Sequence, residues 1–317
     1  MITVLYACND FYIKQTIVSI ASVLKHHKQV KLYLVSEELS QDSRDLLISA
    51  MDAYGQSVQI INAADILPDL DWDIHGRHPR TIYAKLFMEK AILEKRVLYL
   101  DSDTIINGSL EPLFVRNMEY ELVAGVLMPY SSKLKKQINI VSGQPYICDG
   151  VVLFNMELWR EQHKSSECVA YIQKYGGRPP MLSEGTLNYV CRGMIGTLKP
   201  KYNLMPAMLW YTLPQIWELF QADCYYEKNK VEELQLACTN PVVIHFMEEL
   251  YNRPWREPCD HPYRDLYREE WEKQFGRPLF EKREISRHIK MTRWLYKWIP
   301  FSLFSKLYQV KNKWSGV

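Results

Sequence analysis

The chain has 317 residues and a mass of 37.5 kDa; 47% of its residues are hydrophobic, 24% are charged, and the formal net charge is +2. That composition supports a sizeable core and rules out a disordered chain, a collagen-like repeat and a disulfide-stapled mini-protein. The near-zero balance argues against a general nucleic-acid binder, which needs a large basic excess.

Residues 2–7 are an apolar run of strand length, followed by a helical pattern with Ile17, Ile20, Ala21 and Leu24 at i, i+3, i+4 and i+7. Residues 31–35 read as a second strand. Ser40 stands where an N-cap belongs, ahead of Leu46, Leu47, Ala50 and Met51, and Gly55 closes that helix. Residues 57–61 read as a third strand, 81–93 as a helix with Ile82, Leu86 and Leu93 along one face, and 96–100 as a fourth strand. Such alternation predicts an α/β fold with a Rossmann-like, mostly parallel sheet and crossover helices. Beyond residue 110 it weakens. Residues 122–127 and 151–155 are apolar enough to extend the same sheet, 198–214 are irregular, and 241–246 read as a last strand. The expected organisation is one domain over 1–280 with a tail over 281–317.

The tail is distinctive. Residues 285–317 hold seven Lys/Arg and no Asp or Glu, which leaves −5 on residues 1–284. Arg287, Lys290, Arg293 and Lys297 recur at helical spacing among Leu295, Trp298 and Ile299, and Phe301, Phe304, Leu307, Tyr308 and Trp314 follow Pro300. Basic residues interleaved with aromatics suit a helix lying on an anionic membrane; the plainer reading is a helix docked on the body. Seven scattered cysteines without a C-x-x-C pair read as reduced thiols. With no signal-like N-terminus and no spanning segment, the expected location is cytoplasmic, peripheral on the inner face of the cell membrane.

The sharpest local signal is Arg-Val-Leu-Tyr-Leu-Asp-Ser-Asp over 96–103, an apolar strand ending in Asp101 and Asp103. Ligands of open α/β sheets bind beyond the carboxyl ends of strands, and two carboxylates there suit a hard divalent ion. Asp69, Asp71 and Asp73 repeat the spacing in a loop, but Ile74 and Arg80 stand where a calcium loop wants Gly and Glu, so they read as a solvated turn. His245 ends another apolar run. A lone histidine there is commonly structural, but Arg253-Pro254-Trp255 follows and adds a planar cation suited to phosphate.

Five segments in order carry a resemblance: Tyr6 to Tyr12, Thr81-Ile82-Tyr83-Ala84-Lys85, Leu98-Tyr99-Leu100-Asp101-Ser102-Asp103, Leu187-Asn188, and His245-Phe246 with Arg253-Pro254-Trp255. Together, over roughly residues 1–260, they resemble family 8 of the retaining glycosyltransferases, which includes glycogenin and the bacterial lipopolysaccharide galactosyl- and glucosyltransferases. The resemblance implies a GT-A fold, Mn²⁺ (or Mg²⁺) and a UDP-sugar donor, UDP-glucose or UDP-galactose. By it, Asp101, Asp103 and His245 are the metal ligands. Ala7, Asn9 and Tyr12 line the uridine pocket, Ser102 lies between the metal acids in the donor site, and Lys85 and Arg253 neutralise the diphosphate or touch the sugar. Cys148-Asp149-Gly150 falls where relatives carry Asn-Ala-Gly, and Ser183-Glu184 where they carry Asp-Gln, both against the sugar.

The sequence departs from the family at Asn9, Phe11, Cys148, Asp149, Ser183 and Glu184, and the step from His245 to Arg253 is two residues longer. Asp149 and Glu184 are the acids expected near the sugar, as nucleophile or as hydrogen-bond partners of its hydroxyls; same-face attack by the acceptor is the alternative route to retention. The acceptor expected is a glycan or lipid-linked oligosaccharide of the cell envelope, with segment 129–146 (Lys133, Lys135, Lys136) as a loop over it or a plain solvated loop. Two other readings stand beside this one. A non-catalytic UDP-sugar-binding relative would account for the changed sugar pocket. A sugar-1-phosphate nucleotidyltransferase would need a Gly-rich phosphate loop after the first strand, and residues 8–16 contain no Gly.

Overall fold

The computed structural model describes residues 1–70, 80–129, 135–141, 143–221, 223–277 and 280–314, with the side chains of 223, 226 and 310–314 excepted. Asp71, Asp73, Ile74 and Lys133 lie outside the described residues. A seven-stranded sheet forms the centre. In chain order its strands are β1 (Ile2–Ala7), β2 (Val30–Ser36), β3 (Val58–Asn62), β4 (Arg96–Leu100), then, after the short β5 (Thr104–Ile106), β6 (Val123–Leu127), β7 (Ile147–Asn155) and β8 (Ile195–Leu198). The spatial order is β3-β2-β1-β4-β7-β6-β8, and only β7 runs antiparallel to its neighbours. The mostly parallel sheet expected from the sequence is present. Every residue of β4 but Arg96 is buried, as are all five of β6, so these strands read as continuous apolar runs.

Helix α1 (Ile13–His26) follows β1, and α2 (Gln41–Asp52) follows β2. Ser40 caps α2 as its sequence suggests: its hydroxyl accepts the Ser43 N–H at 3.3 Å, and Gly55 takes φ +60° just past the helix. The helix expected over 81–93 is instead two 3₁₀ stretches, Arg80–Leu86 and Met88–Lys90, and Leu93 is exposed. From Tyr83 to Met88 every side chain is buried, so this segment is wedged on all sides and has no polar face of the kind an amphipathic helix needs. The expected strand at 241–246 forms as β9 (Val243–His245), but it pairs antiparallel with β5 outside the central sheet.

Helices α3 (Lys164–Lys174) and α4 (Leu182–Val190) pack on each other, with α4 also against β7; α5 (Leu213–Phe220) and α6 (Arg264–Phe275) belong to the rest of the body along with shorter helices. The C-terminal segment forms α7 (Arg287–Trp298) and α8 (Phe301–Trp314), separated at Pro300. Both pack on the body. Phe304 is buried, Tyr296 donates to the Trp210 carbonyl at 3.1 Å, Ser305 bonds Glu218 at 2.6 Å, and Arg293 pairs with Asp260. Yet Trp294 (58% exposed), Trp298 (66%), Leu303 and Leu307 face outward, so docking leaves an apolar, basic outer surface. No described helix is long and apolar enough to cross a membrane.

Candidate active site

Strand order reverses between β1 and β4, and the crevice at such a switch point, outside the carboxyl ends of the strands, is where ligands bind. The chain after β1 supplies Cys8, Asn9 and Tyr12; the chain after β4 supplies Asp101, Ser102 and Asp103. Because β7 runs the other way, its first residues reach the same edge. Leu100 pairs with Val151, and the Asp101 N–H donates to the Gly150 carbonyl at 2.8 Å. Cys148, Asp149 and Gly150 therefore lie beside the two acids.

Three hydroxyls on α1 hold the 101–106 segment. Thr16 Oγ1 pairs with Ser102 Oγ at 2.8 Å, Ser19 Oγ with Thr104 Oγ1 at 2.9 Å, and Ser22 Oγ accepts the Ile106 N–H at 2.9 Å. Their spacing of three residues puts them on one helix face. The Ser102 hydroxyl is thus engaged with the scaffold. β5 carries the chain onward to pair with β9, and the Thr104–His245 register sets the histidine against the acids.

The carboxylate oxygens of Asp101 and Asp103 and a ring nitrogen of His245 all lie within 4.8 Å of one another. His245 Nε2 is 3.1 Å from Asp103 Oδ1 and 3.7 Å from Asp101 Oδ2, while Nδ1 faces Asn203 Oδ1 at 3.1 Å. An amide oxygen only accepts, so Nδ1 carries a proton; Nε2, which faces the Asp103 carboxylate and is held protonated by it here, is the nitrogen that would give up its proton to ligate a cation. Tyr99 donates to Asp101 Oδ1 at 2.8 Å. A β-carbon at Gly150 would stand 2.4 Å from His245 Cε1 and 2.6 Å from Asp101 Oδ2, so this position has room for no side chain. One imidazole and two carboxylates fit a divalent ion of the Mn²⁺ or Mg²⁺ kind.

Two cations flank the triad. Arg253 holds Asp103 Oδ2 at 2.9 Å, donates to the Tyr12 hydroxyl at 3.3 Å, and lies over the Trp255 ring at 5.2 Å. Burial alone would push the Asp103 carboxyl up, but His245 and Arg253 outweigh it and hold it well below the usual carboxylate range. Asp101 goes the other way: burial raises it, and Asp103 adds to the rise against the opposing Lys85 charge. The Lys85 ammonium, buried and 4.1 Å from the Tyr99 ring centre, donates to Asp149 Oδ2 at 2.7 Å and to the Asp149 carbonyl at 3.0 Å. Burial would depress it, yet Asp149 and Asp101 keep it raised above the ordinary lysine value.

Ser183 completes the Asp149 cradle, donating to Oδ2 at 2.7 Å. Glu184 accepts from Tyr146 at 2.8 Å; burial, then the Asp149 charge, pushes its carboxyl up to about 8. The backbone entering this pair is strained: Met181 and Leu182 have φ of 57° and 50°, a left-handed conformation that costs non-glycine residues free energy and recurs at functional sites. Asn188 clamps β7 by accepting the Ile147 N–H at 2.8 Å and donating to the Ile147 carbonyl at 2.9 Å.

The residues expected in the site come from segments that end at this edge or contact its groups. Ala7 is the last residue of β1 and partly exposed. Asn9 Oδ1 and Arg253 Nε are buried polar atoms without a hydrogen bond among the described residues. Cys148 Sγ lies 4.0 Å from His245 Nδ1 on the Asn203 side of the ring, apart from the nitrogen that faces the acids. Lys135, expected on a surface loop, is buried. Sequence reasoning gave Tyr99 no role of its own and passed over Asn203, Thr16, Ser19 and Glu248, the last of which pairs with Arg256 at 2.7 Å and lies 3.7 Å from Arg253.

Residues 3–259 match the model of Glycosyl transferase family 8. Glycosyltransferase GlyD of Streptococcus pneumoniae serotype 4 is 26% identical over 85% of this chain and 30% of its own length. Lipopolysaccharide glucosyltransferase WaaO of Escherichia coli (strain K12) is 26% identical over 50% of this chain and 49% of WaaO. The chain thus spans less than half of either relative. The solved structure of galactosyltransferase LgtC, in complex with donor and acceptor sugar analogues, superposes with a TM-score of 0.68 at 19% identity, covering 88% of this chain and 98% of LgtC. That likeness shows the fold, which is GT-A.

Proposed function

The chain belongs to glycosyl transferase family 8, and from that premise we propose that it moves a hexose, glucose or galactose, from a UDP-sugar to a cell-envelope glycan or lipid-linked oligosaccharide with retention of configuration. The observation that carries this reading is the Asp101–Asp103–His245 cluster, its space kept clear at Gly150 and flanked by Lys85 and Arg253. The chemistry a divalent cation supplies at such a triad is neutralisation of diphosphate charge.

The chain's own groups take the other roles. Cleavage of the anomeric C–O bond leaves new negative charge on the UDP phosphate, and Lys85 and Arg253 are fixed cations that stabilise it without reorganising. The acceptor hydroxyl forms the new bond and passes its proton to the departing phosphate oxygen. Asp149, oriented by Lys85 and Ser183, faces the cationic character that develops at the anomeric carbon. Glu184, its carboxyl raised towards neutrality, donates a hydrogen bond to a sugar hydroxyl. The unpartnered Asn9 Oδ1 and the Tyr12 ring serve the uridine.

The tail supports a peripheral position on an anionic membrane, on its cytoplasmic face. Its outward Trp294 and Trp298 and its seven cations are the grounds, and all seven cysteines are unpaired, as a reducing compartment requires. No feature of the site favours a non-catalytic role. The test is UDP release from a panel of UDP-sugars with and without Mn²⁺, alongside Asp103→Asn. Metal-dependent release from one sugar, lost in the variant, is expected; a protein that neither releases nor binds UDP would refute the reading.

A further inference from the structure

Away from the metal site, the C-terminal helices border a partly open cavity. Its volume is about 330 Å³; Ala207, Tyr211, Leu250 and Ile289 are among its mostly apolar walls, with Glu249, His288 and Thr292 as polar members. Helix α7 forms one wall, and the two tail helices also turn Trp294, Trp298, Leu303 and Leu307 to solvent. The loop after β9 supplies another part of the lining. Glu249 and Leu250 directly follow Glu248, which lies 3.7 Å from Arg253 Nε, and Arg253 holds Asp103 at 2.9 Å. The cavity thus lies between a basic, tryptophan-bearing surface and the loop that carries a site cation.

We infer that this cavity receives the hydrocarbon chain of an anionic lipid. Most of the lining is apolar, with polar side-chain atoms limited to Glu249, His288, Thr292 and two tyrosine hydroxyls, so a methylene chain is matched over most of its length where a carbohydrate would leave hydrogen bonds unmet. The volume equals that of roughly eleven waters at about 30 Å³ each, on the order of ten chain carbons. It falls within the range of built small-molecule sites. Residues 285–317 carry seven cations and no acid; although Lys290 pairs with Glu284 and Arg293 with Asp260, the remaining positive charge complements an anionic head group held outside the cavity. The inference does not depend on the sugar donor, because chain binding is read with no donor present.

The test uses the full chain and a dansyl-labelled fatty acid, displaced by inorganic phosphate or by butyl, octyl and dodecyl phosphate. Affinity should climb about fourfold per added methylene until the cavity is full. Ala207→Phe, which fills the space, should weaken dodecyl phosphate at least about tenfold, and Ile289→Trp, at a half-exposed position, should do the same if the first variant folds poorly. Trp294→Ala with Trp298→Ala should leave it within about twofold. Equal affinity for butyl and dodecyl phosphate would overturn the inference. So would filled variants that bind like the parent, or a loss that follows the surface tryptophans, which would mark adsorption to the outer face.

Discussion

Replacing Gly150 by alanine is the sharpest perturbation of the metal site. The new β-carbon would stand 2.4 Å from His245 Cε1, 2.6 Å from Asp101 Oδ2 and 3.2 Å from Asp101 Cγ, against ordinary contact from 3.4 Å. The ring and the carboxylate must each retreat by about 1 Å, or the strand edge must shift. Displacing reacting groups by about 1 Å costs on the order of 100-fold in rate, and disturbing the support of metal ligands costs about 10–100-fold in affinity. Overpacking adds about 1–3 kcal/mol of destabilisation. The control is Gly125→Ala, whose β-carbon would meet Ile147 Cδ1 at 2.7 Å on the neighbouring strand. Calorimetric Mn²⁺ titration in the presence of UDP, with thermal melts of both variants, separates the effects. Gly150→Ala should lose metal affinity, and Gly125→Ala should lose only stability. Parent-like Mn²⁺ affinity in Gly150→Ala would refute the geometry argued for the site.

Four further outcomes follow from the same contacts. Glu184 rises from an ordinary 4.5 to about 8 in the fold, so the folded state keeps a proton that the unfolded chain releases. Stability should therefore fall as pH rises between those values, by up to about 4 kcal/mol, and Glu184→Gln should flatten the profile in urea melts across pH; an unchanged slope would contradict it. Lys85→Met strands Asp149 without its cation and should cost about 3–5 kcal/mol by denaturant melts. Asn203→Leu removes the acceptor that fixes the His245 tautomer and should weaken Mn²⁺ about 10–100-fold by titration, with little change in the fold's circular dichroism. Trp294→Ala with Trp298→Ala should lower sedimentation with anionic vesicles, and raised salt should lower it further; parent-like sedimentation would remove the membrane reading.

Much of the sheet was legible because buried strands are short apolar runs between turn signals, and β1, β2 and β4 are written that way; β3, at the sheet edge with only Ile61 buried, keeps the short run alone. The acids at 101 and 103 were legible for the same reason: a buried strand that stops abruptly at carboxylates announces its carboxyl end. The 3₁₀ character of 80–90 was not. A segment buried on every side has no polar face to set a period, so its pattern carries nothing that separates helical from 3₁₀ spacing. Nor does the pattern of α1 show what Thr16, Ser19 and Ser22 do. Small hydroxyls in a helix are commonplace, and their partners at Ser102, Thr104 and Ile106 are set by tertiary packing. Asn203 sits in an irregular stretch and meets His245 because its neighbour Leu204 bridges β9 at Ile244. The resemblance to a known family, carried by five ordered segments, reached what local patterns could not: that His245 and Lys85 belong with the acids at 101 and 103.

The most direct measurement is calorimetric titration of UDP into the parent protein and Asp103→Asn, each with and without Mn²⁺. A site built from Asp101, Asp103 and His245 predicts UDP binding that requires Mn²⁺ in the parent and is lost or weakened at least about 100-fold in the variant. Equal UDP affinity without the metal, or undiminished Mn²⁺-dependent binding in Asp103→Asn, would contradict it.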